Sequence, residues 1–173
     1  GLGAMFGFTF PENFNYPYLS RTVSEFWRRW HMTLSGWFRE YLYIPLGGNR
    51  RGKKRTLLNL FLVFLATGLW HGASWQFVAW GLWYAVLLIL ERTLLQKPLA
   101  VLPVPLTRLY TLFFVVCGWV IFRAPGLRAG LLWLRAMLLP TAGFAAWPVS
   151  RYLDPRTLVL LVVGLALCGP VQA

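Results

Sequence analysis

The chain has 173 residues, of which 58% are hydrophobic and only 13% are charged, about half the charged share of a soluble globular domain. Its 17 lysines and arginines against five acids give a formal net charge of +12. This composition excludes an ordinary soluble domain. Because the basic residues flank apolar segments, the excess indicates the positive-inside pattern of a membrane protein, and we expect no binding to nucleic acid.

Residues 21–41 predict one amphipathic helix that lies in a bilayer interface. Thr22 and Glu25 match a capping box at its start. A helix rich in tryptophan and arginine with one apolar face favours the interface over a membrane span. His31 falls on the apolar side, where the alternative is a core histidine bonded to a carbonyl. The apolar side chains recur at helical spacing and are Val23, Phe26, Trp27, Trp30, Leu34, Trp37 and Phe38.

A basic loop follows this helix. Pro45, Gly47 and Gly48 end the helix, and a basic cluster then stands directly before an apolar run. Such a cluster is typical of a cytoplasmic loop, where each charge near an anionic leaflet contributes about 1 kcal/mol. We expect it to set topology and contact lipid headgroups rather than to catalyse. The cluster consists of Arg50, Arg51, Lys53, Lys54 and Arg55.

Residues 57–90 are too long for one membrane span and too short for two. As one helix they would measure about 51 Å against a hydrocarbon core of about 30 Å, whereas two spans need about 40 residues and a turn. The segment is therefore predicted to be a broken or re-entrant helix pair, interrupted at the glycines and serine of residues 68–74. His71 would then lie well inside the bilayer, where an ionisable residue indicates a functional site.

His71 is suited to act as a general base. Burial favours the neutral imidazole, which can take a proton from a hydroxyl. Ser74 is a weak candidate nucleophile because no GxSxG elbow surrounds it and no acid in the apolar run orients the histidine. His31 and His71 alone would leave a metal short of ligands, so no metal site is predicted. The hypothesis that remains is a base, His71, supported by His31; the alternative is a non-catalytic membrane scaffold.

The rest of the chain predicts a membrane span at about 106–123, an interfacial helix in "LRAGLLWLRAMLLP", and a truncated span at about 157–169. The chain opens without an initiating Met, a basic leader or a cleavage site, so we expect a piece of a longer protein. The fold class expected is all-α and polytopic, with further helices supplied from outside residues 1–173.

Two long stretches resemble a known family. "FNYPYLSRTVSEFWRRWHMTLSGWFREYLYIPLGGNR" followed by "NLFLVFLATGLWHGASWQFVAWGLWYAV" is similar to the membrane-bound O-acyltransferase (MBOAT) family, in the bacterial branch of alginate O-acetyltransferases and D-alanyl-lipoteichoic acid transferases. The resemblance covers residues 10–92, and "YLYIPLGGNR" leans toward the alginate side. It implies that residues 1–173 are the C-terminal part of a single domain of this family.

The resemblance also implies site residues. His71, in the WHG motif, corresponds to the essential catalytic residue, and His31 corresponds to a second polar position that faces the same tunnel. Candidates for lining that tunnel or contacting substrate are Trp27, Trp30, Trp70, Gly72 and Ser74.

The resemblance implies an activity as well. An acyl group, expected to be acetyl, would move from a cytoplasmic thioester to hydroxyls of an exported polysaccharide or of a periplasmic or extracellular acetyltransferase partner. The donor would be acetyl-coenzyme A or an acyl carrier protein, with no bound cofactor, and the location would be the bacterial inner membrane with several spans. D-alanyl transfer to teichoic acid is the alternative activity.

Overall fold

The computed structural model describes residues 2–139 and 153–167, and these residues form helices and turns with one isolated bridge between Phe14 and Trp30. A 3-10 turn covers Pro17–Leu19, and π-helical segments cover Arg39–Tyr43 and Glu91–Leu95. The expected all-α class is therefore confirmed for the described residues. The α-helices are α1 Leu2–Met5, α2 Val23–Arg29, α3 Met32–Phe38, α4 Gly52–His71, α5 Trp75–Leu90, α6 Gln96–Val101, α7 Val104–Arg123, α8 Leu127–Leu138 and α9 Pro155–Leu167.

The predicted break in the 57–90 segment is confirmed. Helix α4 ends at His71, Gly72 follows as its C-cap, and Ser74 is the extended residue that precedes α5. The two helices then run antiparallel and cross at two glycines. A Cβ atom at Gly68 would meet the carbonyl oxygen of Phe77, and one at Gly81 would meet that of Phe64. Small residues at a crossing let two backbones touch, so this contact fixes where His71 lies along α5. The re-entrant path through the bilayer stays a prediction.

The single helix predicted for residues 21–41 is wrong, because the chain breaks between α2 and α3. His31 adopts a left-handed conformation with φ of 48° and ψ of 53°. A distant segment stabilises the break: the Asn15 N–H donates to the carbonyl of Arg29, and the Met32 N–H donates to the carbonyl of Asn13, both at 2.9 Å. These tertiary hydrogen bonds outweigh the helical spacing of the apolar residues.

The predicted helix start at Thr22 is confirmed. Its hydroxyl accepts a hydrogen bond from the Glu25 N–H at 3.0 Å. The reciprocal half of the capping box is displaced by one residue, since the Glu25 carboxylate accepts from the Arg21 N–H at 2.8 Å.

Two predicted boundaries also change. Helix α4 begins at Gly52, so Lys53, Lys54 and Arg55 lie in its first turn rather than in a loop. The side chains of Arg55 and Asn59 hold the preceding turn against the helix by donating to the Leu46 carbonyl, each at 3.3 Å. At the other end, the helical stretch does not stop with α5 at Leu90, because the chain stays helical from Trp75 to Val101.

Helix α7 packs against α5 and confirms a span-length helix at 106–123. The Trp83 indole donates to the carbonyl of Phe114 at 3.1 Å, and the Tyr84 hydroxyl donates to that of Val115 at 3.4 Å. Gly118 leaves the space that the Tyr84 hydroxyl occupies. Within residues 2–139 and 153–167, two helical stretches, Trp75–Val101 and Val104–Arg123, are long and apolar enough to cross a membrane.

The chain divides into two compact units, residues 1–131 and 132–173. The first contains α1 to α7 and the start of α8. In the second, the Asp154 carboxylate caps α9 by accepting from the Thr157 N–H at 2.7 Å. A helix is confirmed at Leu127–Leu138 and at Pro155–Leu167, whereas residues 168 and 169 of the predicted last span lie outside the described residues. The interfacial position of α8 stays a prediction.

Candidate active site

A cavity of about 1290 Å³ follows one face of α4 through the first unit. The α4 residues that line it recur every three or four positions, which is the spacing of a single helix face. At 1.5 Å per residue the helix is about 30 Å long, comparable with a bilayer core. Along α4 itself, the residues that line the cavity run from the middle of the helix to its last residue. These lining residues are Leu60, Val63, Phe64, Thr67 and His71.

His71 lies at the end of this cavity inside an aromatic cage. Its ring meets the rings of Trp80 and Phe122 edge to face, each with centroids 5.0 Å apart, and it lies 6.2 Å from the ring of Phe77. The described residues contact this imidazole through aromatic rings and make no hydrogen bond to its nitrogens. Its nitrogens therefore remain available to a bound ligand. The cage forms because the break after α4 turns the chain back and sets α5 beside the histidine.

His31 lines the same cavity and is held by Asn13. Its Nδ1 atom lies 3.2 Å from Asn13 Oδ1, an oxygen that also accepts from the Thr33 N–H at 3.1 Å and the Thr33 hydroxyl at 3.0 Å. Because this oxygen is an acceptor, the neutral His31 ring carries its proton on Nδ1 and a lone pair on Nε2. The left-handed backbone at His31 is a strained conformation of the kind that clusters at functional sites.

The two predicted catalytic histidines are thus brought to one cavity, although 40 positions separate them in the chain. Neither the left-handed turn at His31 nor Asn13 was part of the sequence prediction.

Tryptophans from α2, α5 and α7 form part of the cavity wall. Trp27 meets the rings of Trp80 at 5.6 Å and Tyr84 at 4.8 Å, both edge to face. Trp30 lies 6.1 Å from the ring of Trp119. The structure therefore places the predicted lining residues Trp27 and Trp30 at the cavity.

The other three predicted lining residues are not among those that line this cavity. Trp70 is 57% exposed, Gly72 caps α4, and the Ser74 hydroxyl donates to the side-chain oxygen of Gln76. Their roles toward substrate stay predictions. In the basic cluster, Arg50, Arg51, Lys53 and Lys54 are exposed, and Arg55 is partly buried.

Glu91 is a cavity residue that sequence reasoning missed. It is 5% exposed, and its Oε1 accepts from the Val23 N–H at 2.6 Å. Its Oε2 accepts from the N–H and the hydroxyl of Ser24, at 2.8 and 2.6 Å. The carboxylate thereby ties the end of α5 to the first turn of α2. The sequence signal that could have identified Glu91 is a single acid at the end of an apolar helix.

Arginines make the cavity wall basic. Arg92 donates to the Asn49 side chain at 3.2 Å, and Asn49 directly precedes the basic cluster. This part of the cavity therefore lies near the basic cluster, at the opposite end of α4 from His71. The arginines that line the cavity are Arg21, Arg28, Arg39 and Arg92, against the acids Glu25 and Glu91.

Comparison with known proteins identifies what the chain is similar to. The model of the membrane-bound O-acyltransferase family, MBOAT, matches residues 2–134. The probable alginate O-acetylase AlgI of Pseudomonas aeruginosa is 45% identical over 98% of this chain and 33% of the relative. The peptidoglycan O-acetyltransferase of Helicobacter pylori is 44% identical over 80% of this chain and 27% of the relative.

A third relative matches a shorter part. The teichoic acid D-alanyltransferase of Bacillus subtilis is 38% identical over 51% of this chain and 24% of the relative. The chain spans about a third of the length of the alginate relatives that it matches.

Proposed function

The chain belongs to the membrane-bound O-acyltransferase family, and from this premise we propose that it forms the histidine site of an enzyme that transfers an acetyl group from a thioester to a hydroxyl. The observation that carries the proposal is the cavity along α4, which His31 and His71 both line. A site of this kind needs a base within reach of a hydroxyl and a path for the acyl donor.

His71 acts as the general base in this proposal. It removes the proton of the acceptor hydroxyl while the hydroxyl oxygen attacks the thioester carbonyl carbon. The tetrahedral intermediate collapses, the carbon–sulfur bond breaks, and the proton passes from His71 to the leaving thiolate. The products are an ester and a free thiol, and no redox partner is required. A well-placed base contributes about 10²–10⁴-fold to such a step.

His31 holds the acceptor hydroxyl. With its proton on Nδ1 and bonded to Asn13, a neutral ring presents the lone pair of Nε2, which can accept a hydrogen bond from a hydroxyl but cannot donate one to a carbonyl. A histidine that supports the base could either hold the acceptor hydroxyl or polarise the carbonyl. The Asn13 contact favours the first.

The donor enters the cavity from the side of Arg92, which lies near the basic cluster. The arginines of the cavity wall suit the phosphate groups of coenzyme A or of the pantetheine arm of an acyl carrier protein. If the basic cluster faces the cytoplasm, as the positive-inside rule predicts, the thioester enters from that side. The acceptor then approaches from the outer side, as a polysaccharide or a periplasmic acetyltransferase partner. The enzyme would be a multi-pass protein of the bacterial inner membrane.

Acetyl transfer is favoured over D-alanyl transfer. The relatives named as O-acetylase or O-acetyltransferase match 98% and 80% of the chain, whereas the D-alanyltransferase of Bacillus subtilis matches 51%. D-alanyl transfer would use the same base and the same attack on a thioester, so the histidine roles are unchanged in that case.

The test replaces each histidine with alanine in the full-length protein at matched membrane levels and measures acetyl esters on the exported polymer. His71→Ala should abolish transfer, and His31→Ala should reduce it less. Ser74→Ala should retain transfer, since its hydroxyl is bonded to Gln76. Normal acetylation by His71→Ala would contradict the proposal and favour a non-catalytic scaffold.

A further inference from the structure

Two cavity tryptophans, one of which packs against His71, each bury an indole N–H that has no acceptor among the described residues. The Nε1 atoms of Trp27 and Trp80 are both shielded from solvent and lack a hydrogen-bond partner among the described residues. Trp80 is 5% exposed, and both residues line the cavity. An indole nitrogen is a donor only, so each N–H needs an acceptor that the described residues do not supply.

An unpaired buried donor is costly enough to require an explanation. A buried N–H without a partner has lost its hydrogen bonds to water and gains none in return. Both rings meet neighbouring aromatics, but a ring face is a weak acceptor compared with an oxygen atom. A third tryptophan, in the same helix as Trp80, shows the ordinary arrangement, since the Trp83 N–H donates to the Phe114 carbonyl at 3.1 Å.

One of the two donors belongs to a ring that contacts the proposed base, and the other belongs to the ring packed against it. The Trp80 ring lies edge to face with the His71 ring at 5.0 Å, and the Trp27 ring lies edge to face with the Trp80 ring at 5.6 Å. The rings of Phe64 and Tyr84 also pack against Trp27, with centroids 5.3 and 4.8 Å from its ring. An acceptor that enters this part of the cavity therefore comes with the ligand, and the thioester carbonyl must reach His71 for the reaction to occur.

We propose that the indole N–H groups of Trp27 and Trp80 donate to the acyl carbonyl oxygen of the thioester and form the oxyanion hole of the site. The assignment rests on the proposed function. When the acceptor oxygen attacks, the carbonyl π electrons move onto that oxygen, and the two donors stabilise the negative charge. No atom is transferred to either tryptophan. Loss of one such donor typically lowers kcat by about 10²–10³-fold.

The first test removes the donor and keeps the ring. In the full-length protein, Trp27 and Trp80 are each replaced by 3-benzothienylalanine, in which sulfur stands where the indole has its N–H. We expect kcat for acetyl transfer to fall at least about tenfold for each, with a smaller change in KM. Trp83 receives the same replacement as a matched control, and its kcat should stay near that of the unmodified protein. Equal kcat for all three proteins would overturn the assignment.

The second test needs no catalysis. Acetyl-coenzyme A labelled with ¹³C at the carbonyl is bound to the full-length His71→Ala protein, and its carbonyl stretch is measured by infrared difference spectroscopy. Donation from the indoles should shift the stretch to lower frequency than in water-free solvent, and replacement of Trp27 and Trp80 should remove that shift. A stretch that the replacements leave unchanged, or no binding of this probe, would overturn the proposal.

The two proposals fail in distinguishable ways. If His71→Ala transfers acetyl normally, the general-base function is wrong, while the infrared result still decides whether the indoles bind the carbonyl. If His71→Ala is inactive but the Trp27 and Trp80 replacements behave like the Trp83 control, the function stands and the oxyanion hole is wrong.

Discussion

Replacing Glu91 with glutamine should destabilise the protein, because both oxygens of this buried carboxylate are occupied. Oε1 accepts from the Val23 N–H at 2.6 Å, and Oε2 accepts from the N–H and hydroxyl of Ser24 at 2.8 and 2.6 Å. A glutamine keeps one oxygen acceptor and presents an NH₂ group at the other position. In its best orientation the oxygen faces Ser24 and the NH₂ group faces the Val23 N–H, so donor meets donor.

The expected cost follows from these bonds. The Val23 N–H, left buried without an acceptor, costs about 1–3 kcal/mol. The two bonds to Ser24 change from charge-assisted to neutral, which weakens each by roughly half. Relief from burying a charge offsets part of this loss. We therefore expect Glu91→Gln to lower the free energy of unfolding by about 2–4 kcal/mol, and Ser24→Ala, which removes one donor side chain, to lower it by about 1 kcal/mol.

The assay is thermal unfolding of the full-length protein in detergent, followed by the helical circular dichroism signal. Glu40→Gln is the matched control, because Glu40 is an exposed carboxylate to which the same chemical change is made. Glu91→Gln should unfold several degrees below that control, with Ser24→Ala between them. If Glu91→Gln and Glu40→Gln unfold at the same temperature, the carboxylate does not tie α5 to α2 in the way described.

Three further predictions concern the crossing, the histidine support and the basic cluster. Gly68→Ala places a Cβ atom against a backbone carbonyl of α5 and should lower the free energy of unfolding by about 1–3 kcal/mol, measured by thermal unfolding. Gly36→Ala, at a position where space is open, should lower it far less. Equal losses for the two variants would contradict the crossing of α4 and α5 at Gly68. Asn13→Ala removes the acceptor that orients the His31 ring and should slow acetyl transfer at unchanged protein level, whereas an unchanged rate would show that the contact is dispensable. Replacing three basic residues at 50–55 with glutamine should weaken membrane insertion or donor capture, and cysteine labelling of this cluster from outside the cell would overturn its cytoplasmic assignment.

The sequence alone predicted the features that depend on composition or on neighbouring residues. Composition and charge indicated a membrane protein, and the family match agrees with that class. The length of the 57–90 segment required a break, and glycines and serine marked its place within residues 68–74, where the structure has it at 72–74. Thr22 marked the start of α2, because a helix cap bonds to a backbone group only a few residues away in the chain. Each of these features depends on neighbours in the chain.

Tertiary structure alone decided the features that depend on distant partners. The break at His31 is held by hydrogen bonds to residues 13–15, so the helical spacing of the flanking tryptophans did not reveal it. Glu91 reaches Val23 across 68 positions, and the unpaired indoles of Trp27 and Trp80 become adjacent only when α2 packs against α5. Periodicity reports which face of a helix is apolar, but it does not report which donors and acceptors meet across that face. For this reason His71 could be named from its own segment, whereas the groups that surround and orient the two histidines required the fold.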